Sequence, residues 1–391
     1  MSWVGWGLLV VAGVVSVPCL IVAAECFLAL LPLPKHRTGK RGKVAVLIPA
    51  HNEQLLIGRT LQRLLPQITN ADRVLVVADN CTDNTAAIAR SHGVEVLERD
   101  DMLNLGKGFA LAAGVAHLAA DPPDVVVIFD ADCDAEAGMV DILSRTAVST
   151  GRPVQALYLM YSPESAGPGG LISAFAFLVK NQVRARAMHR VGLPVLLTGT
   201  GMAFPWELIR DTSLATDNIV EDLALGLTFA VEGRGPVYAE SARVNGRLPD
   251  SSFAAMTQRT RWEHGYLHTI LTQCPCLVWK GFGDFRPGLL LVAVDLAVPP
   301  LSLLVFSGLV AVAISLVEAW LSGTWWAVLP LGLAAGAAGM GLCVAWAVFA
   351  RKRLPPRVMA SIPAYVLKKL PIYAGFLLHR QRAWVRTERR L

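Results

Sequence analysis

Val125-Val126-Val127-Ile128-Phe129-Asp130-Ala131-Asp132 runs five apolar residues, three of them Val, straight into two carboxylates one residue apart. Such a run reads as a strand buried on both faces. Alternate residues of an extended chain point the same way, so Asp130 and Asp132 are expected to face one point just beyond the strand end. In an open α/β sheet that is where ligands sit. Converging carboxylates repel unless a cation lies between them, and hard oxygen ligands suit Mg²⁺ or Mn²⁺ carrying a phosphate. A solvated turn would also accommodate an Asp-x-Asp pair, so the reading depends on what surrounds it.

The 391 residues are 54% hydrophobic and 17% charged, which predicts a chain with both soluble and membrane segments. The net charge of +6 comes from basic residues crowded beside apolar runs, as positive-inside flanks are. No stretch interleaves aromatics with Lys and Arg as a nucleic-acid surface does, so no nucleic acid is expected as a partner. The 7 Cys contain no CxxC and read as reduced thiols. Cys274-Pro-Cys276, with no second Cys or His pair nearby, is read as structurally bland.

Residues 1–34 carry an apolar run from about Val4 to Leu33, long enough to span a bilayer and interrupted only by Glu25. Glu25 is read either as paired within a helix bundle or as lying near a polar path. Lys35, His36, Arg37, Lys40, Arg41 and Lys43 follow, which predicts an outside N-terminus and a cytoplasmic domain over residues 42–285. Within it Val44–Ile48, Arg73–Ala78, Val94–Leu97 and Val125–Phe129 read as strands, and Leu55–Leu65, Asn84–Ser91 and Lys107–Ala120 as helices. That alternation predicts an α/β class, a mainly parallel sheet covered by helices on both faces. Polar clusters end the first two strands, Pro49-Ala50-His51-Asn52-Glu53 and Asp79-Asn80-Cys81-Thr82-Asp83-Asn84-Thr85, on the rim that carries Asp130 and Asp132. Asp83 or Asn84 is expected to cap the following helix. Glu53 is read equally as a first-turn acid and as a ligand contact. Lys107 between Gly106 and Gly108, at a helix start, makes a plausible neighbour for a diphosphate.

Beyond the sheet, Thr198-Gly199-Thr200-Gly201 forms a tight, backbone-accessible turn suited to lie beneath a sugar. Glu221-Asp222 precedes the helical run Leu223–Val231 and fits an acidic helix start. At helical spacing Gln258, Arg261 and Trp262 share one side: an amide, a planar cation and a large aromatic face. Residues 286–351 hold two further spans. One lies within Leu289–Leu316, bent or entered at Pro299-Pro300, and the other is Trp325–Ala350; Asp295 is placed near the entrance of the first. Residues 352–391 read as a basic tail containing an amphipathic segment, Ile362–Leu378, lying on the membrane.

Taken in order, Ile48–Glu53, Asp79–Thr85, Asp130-Ala131-Asp132, Gly199-Thr200-Gly201, Glu221-Asp222 and Gln258-x-x-Arg261-Trp262 resemble the membrane-embedded family 2 glycosyltransferases, which include cellulose, hyaluronan, chitin and poly-N-acetylglucosamine synthases. The resemblance covers roughly residues 42–270. It implies a GT-A fold and an inverting, metal-dependent transfer from a UDP-sugar. Asp79 with Pro49, His51 and Glu53 would hold the nucleoside, Asp130 would lie near ribose and sugar with Lys107 beside the nucleotide, and Asp132 would bind the metal. Gln258 and Arg261 would contact the diphosphate. Gly199, Thr200, Gly201, Glu221 and Trp262 would face the acceptor, and Asp222 would be the general base.

The chain departs from the family pattern at Asn80-Cys81, where many members carry Gly-Ser, and at Val220, where many carry Thr. With about three crossings it also has fewer spans than synthases that export their own polymer. It is therefore expected to form a homo-oligomer or work with export subunits, to make a short saccharide, or to use a lipid-linked acceptor, in the inner membrane and among its lipids. The competing readings are a non-catalytic nucleotide-binding scaffold for a polysaccharide-export complex and a small transporter. Asp79, Asp130, Asp132 and Asp222 are all present, whereas a scaffold would be expected to have lost one.

Overall fold

The computed structural model describes residues 3–34, 39–163, 167–216, 220–249 and 252–378. Lys35, His36 and Arg37 of the expected basic flank, and the tail from residue 379, lie outside the described residues. The chain forms two compact units, one from residues 33–163 and 192–257, the other from residues 1–32, 164–191 and 258–381. These units cut across the linear boundaries expected above, because residues 164–191 and 258–285 group with the apolar helices.

The first unit is built on an eight-stranded sheet: β1 Val44–Ala50, β2 Arg73–Asp79, β3 Glu95–Arg99, β4 Val125–Ile128, β5 Asp134–Ala135, β6 Val154–Tyr161, β7 Met202–Pro205 and β8 Val237–Arg247, in the order β3-β2-β1-β4-β7-β6-β8-β5. The β3-β2-β1-β4 half is parallel throughout, as the βα alternation predicts. In the other half β7 runs antiparallel to both β4 and β6, and β5 antiparallel to β8, while β6 and β8 are parallel. Ala45, Leu47, Leu75, Val77, Val126 and Ile128 pack on the helix Lys107–Leu118 through Ala110, Leu111, Val115 and Leu118. The alternate set Val44, Val46, Ile48, Val76, Val125 and Val127 is also fully buried, so both faces are covered.

Two strand ends differ from expectation. β1 continues to Ala50, with Pro49 opposite Val77, so Pro49 belongs to the strand. β4 stops at Ile128, and Asp130 and Asp132 stand in the turn beyond it. Their convergence therefore comes from the turn and not from strand alternation.

Among the described residues, the second unit contains three helices long and apolar enough to cross a membrane, Trp6–Leu28, Leu301–Ser322 and Val328–Ala350. The helix Pro287–Leu296 ends before Pro299-Pro300 and a new helix starts at Leu301, so of the two expected arrangements the span is entered at the prolines and not bent there. Proline removes a backbone donor and biases its predecessor away from helical angles, which explains the break. Glu25 and Asp295 are both buried and share one cation: Arg184 Nε lies 3.0 Å from Glu25 Oε2 and Arg184 Nη2 lies 2.8 Å from Asp295 Oδ1. Asp295 is thus an ion-pair partner inside the helix unit. Arg184 closes a π-helical stretch, Val179–Arg184. The helix Ile362–Leu378 exposes Lys368 but buries Lys369, which pairs with Glu263 on the helix Ser252–Gly283. Its two adjacent lysines therefore do not share one polar face.

Candidate active site

The carboxyl ends of β1, β2 and β4 form one rim, and the polar clusters sit on it. His51 Nδ1 is 2.7 Å from Asp79 O, Asn52 Oδ1 accepts from Thr82 N at 2.7 Å, and Glu53 N donates to Thr85 Oγ1 at 2.8 Å. Asn84 holds the N-cap position of the next helix without a side-chain bond, and Asp83, one residue earlier, accepts from Thr85 N at 2.9 Å. Asn80 has φ 49°, a left-handed conformation that Asn tolerates better than most side chains.

Asp79 is 6% exposed, and its Oδ1 accepts from Arg99 Nη1 at 2.6 Å and from Asn80 Nδ2 at 3.2 Å. Arg99 is itself steadied by Asp101 Oδ2 at 2.8 Å and by Asn104 O at 3.0 Å. Arg99 was not singled out in the sequence, although a basic residue ending a strand on the ligand rim was a usable cue.

Lys107 begins its helix after Gly106 and carries the centre of the site. Its Nζ pairs with Asp130 Oδ1 and donates to Gly199 O at 2.6 Å. Gly199 and Gly201 have φ 88° and 62°, and a Cβ at Gly199 would lie 3.3 Å from Asp222 Oδ2 and 3.7 Å from Lys107 Nζ. The turn thus brings Asp222, Lys107 and Asp130 to one place. Thr200 is fully buried and its Oγ1 accepts from Asp130 N at 3.0 Å, so its hydroxyl faces the protein and not an acceptor. Gly201 likewise packs inward, against Val244 and Ala156. Gln155, another residue the sequence reading passed over, braces the turn: its Nε2 donates to Thr200 O at 3.0 Å and its Oε1 accepts from Thr198 N at 2.9 Å. An amide inside the apolar run of β6 was its cue.

Asp130, Asp132 and Cys133 offer ligand atoms that all lie within 4.8 Å of one another. Glu221 and Asp222 occupy the first turn of the helix Glu221–Val231. Burial, reinforced by Asp222 and partly offset by Lys107, pushes Glu221 up to about 7. Burial also raises Asp130 against the pull of Lys107. Burial disfavours the Lys107 charge, but Asp130, Glu221 and Asp222 outweigh it and hold Lys107 above the ordinary lysine range.

Gln258, Arg261 and Trp262 belong to the other unit, on the helix Ser252–Gly283. Gln258 is buried, and the Trp262 ring lies 6.0 Å from that of Phe177 at 39°. On the neighbouring side of the helix Arg259 stacks over Tyr365 at 5.7 Å, and His264 Nε2 is 2.8 Å from Ile372 O.

An uncharacterized protein of Methanocaldococcus jannaschii is 35% identical over 92 residues, a match spanning 24% of this chain and only 36% of that protein. An uncharacterized glycosyltransferase of Mycobacterium tuberculosis is 30% identical over 227 residues, spanning 54% of this chain and 94% of the relative. Among solved structures, the mannosyltransferase PcManGT of Pyrobaculum calidifontis, in complex with GDP-Man and Mn²⁺, matches with a TM-score of 0.56 at 17% identity, covering 96% of this chain and 100% of its own. That likeness concerns the fold, which is of the GT-A type. The family model described as "Glycosyltransferase like family 2" matches residues 41–265, more than half the chain, and the chain belongs to that family.

Proposed function

We propose that the protein is an inverting glycosyltransferase that moves a sugar from a UDP-sugar to a saccharide or lipid-linked acceptor. The observation that carries the reading is the meeting of Asp222, Lys107 and Asp130 at the Gly199 turn, beside Asp132. Transfer needs one carboxylate able to take the acceptor hydroxyl proton and a cationic environment for the departing diphosphate. Asp222 takes the first role. The hard oxygens of Asp130 and Asp132 fit Mg²⁺ or Mn²⁺, with Asp132 as the main ligand, and such an ion would neutralise charge on the diphosphate. Lys107 favours the charged form of Asp130 against the effect of burial and holds it against the Gly199 turn. Thr200 and Gly201 support that turn from below, while Gly199 and Glu221 face the reacting side. Direct displacement inverts the anomeric centre, so an α-linked donor yields a β-linked product. On the strength of their sequence motif, Gln258 and Arg261 bind the diphosphate and Trp262 the acceptor sugar.

Uridine is favoured over guanosine by the pair at the end of β2. Guanine presents two adjacent N–H donors that call for both oxygens of a carboxylate, whereas Asp79 Oδ1 is committed to Arg99 and Asn80. The uracil edge, one N–H between two carbonyls, suits a single remaining carboxylate oxygen beside a guanidinium. The three apolar helices support action at a membrane. We assign the catalytic unit to the cytoplasmic face of the inner membrane, in synthesis of a surface polysaccharide or glycolipid. Calorimetric titration of the purified protein with UDP and GDP in Mn²⁺ tests the nucleotide. UDP should bind at least about tenfold more tightly, equal to about 1.4 kcal/mol, and Asp79→Asn should remove the preference. Equal binding, or a preference for GDP, would contradict it.

A further inference from the structure

Directly after the Asp130-Ala131-Asp132 turn stands a thiol to which none of the roles above refers. Cys133 is 1% exposed, and its Sγ lies 3.3 Å from Asp132 Oδ1. Behind it, 3.8 Å away, is the hydroxyl of Tyr158 on β6. The Tyr158 ring is in turn pressed against Gly246 on β8, where a Cβ would lie 2.7 Å from the Tyr158 hydroxyl. A chain of contacts therefore runs from the interior of the sheet to the carboxylate next to the candidate metal position. At 3.3 Å the S–H of Cys133 is placed to donate to Asp132 Oδ1.

We infer that Cys133 is a positioning residue for the divalent cation: its S–H holds Asp132 Oδ1 and turns the other carboxylate oxygen toward the ion. The inference rests on the reading of Asp132 as metal ligand. Groups that orient a ligand in this way typically contribute 10–100-fold to metal affinity, and because S–H is a weak donor the effect belongs at the lower end, about tenfold. Direct coordination by sulfur is the rival account. It predicts a different pattern, because serine reproduces a short donor but not a thiolate ligand.

The test is Mn²⁺ titration of the purified full chain followed by electron paramagnetic resonance of the free ion, with wild type, Cys133→Ser and Cys133→Val compared. The expected result is near-wild-type affinity for Cys133→Ser, within about twofold, and a loss of about tenfold for Cys133→Val, with thermal midpoints recorded alongside. If Cys133→Val does not fold, Cys133→Ala, which removes the donor without adding bulk, is read in its place. Wild-type protein that binds no Mn²⁺ would remove the metal reading itself. Wild-type binding left unchanged by the Val or Ala substitution would overturn only the role of Cys133. A serine variant as weak as valine would overturn the hydrogen-bond account in favour of sulfur as a ligand.

Discussion

Gly199 and Gly201 are two residues apart in one turn, yet alanine at each should fail in a different way. Both have φ in the left-handed region, 88° and 62°, so a side chain at either position costs about 1–2 kcal/mol of backbone strain. At Gly201 the new Cβ would also lie 2.7 Å from Val244 Cγ2 and 2.9 Å from Ala156 Cβ, atoms on β8 and β6 that the sheet holds in place. Overpacking of this kind costs a further 1–3 kcal/mol or so, making Gly201→Ala destabilising by roughly 2–5 kcal/mol. At 2–4 °C per kcal/mol the midpoint should fall by about 10 °C. At Gly199 the nearest atoms are Asp222 Oδ2 at 3.3 Å and Lys107 Nζ at 3.7 Å, ends of flexible side chains, so little beyond the strain is added. The methyl would, however, stand between the two groups assigned to the chemistry. Gly199→Ala should therefore lower the midpoint by only about 5 °C and reduce turnover by more than about tenfold. Thermal unfolding in detergent, followed by tryptophan fluorescence, and an activity assay on the same preparations distinguish the two. Gly199→Ala with full activity, or Gly201→Ala with a wild-type midpoint, would refute the placement of the turn.

Lys107→Met should leave Asp130 beside Asp132, Asp222 and Glu221 without its cation, costing roughly 3 kcal/mol at neutral pH and less at pH 5, where the carboxylates take up protons; midpoints at the two pH values check this. Glu221 binds its proton more tightly when folded, with a pKa of about 7 against an ordinary 4.5, so its contribution to stability is complete below about pH 4.5 and is lost as pH rises through 7. Glu221→Gln should flatten the profile across that window, which denaturant titrations from pH 4.5 to 8 would reveal. Arg184→Met should destabilise by about 3–5 kcal/mol, because Glu25 and Asp295 are left buried without a cation. Adding Glu25→Gln and Asp295→Asn should recover much of that loss, and a triple variant no better than Arg184→Met would contradict the shared ion pair.

The half of the sheet from β3 to β4 was readable because its strands are apolar runs buried on both faces and separated by helices of regular spacing. The other half escaped reading. β7 has only four residues, and β6 looks like any apolar segment, although β8 alternates buried and exposed residues from Ser241 to Arg247. Within the site, residues at strand ends and at a helix start declared themselves by position: Asp79, Asp130, Asp132, Lys107. Residues that act by holding others did not. Arg99, Gln155 and Cys133 gain meaning only through partners 20, 45 and 1 positions away in the chain. The same holds for Arg184 and Lys369, whose partners Glu25 and Glu263 lie 159 and 106 positions distant. Thr200 was misplaced for the same reason, since spacing cannot tell whether a hydroxyl faces the ligand or the backbone amide of Asp130.

UDP release by the purified full chain tests the central claim most directly, measured against a panel of UDP-sugars with Mn²⁺ or Mg²⁺ and a membrane lipid extract, with Asp222→Asn in parallel. The account predicts release with one sugar, dependent on the divalent ion, and a loss of at least about a hundredfold in the variant. Folded protein that binds UDP and Mn²⁺ but releases nothing from any donor, or an Asp222→Asn protein as active as wild type, would contradict it.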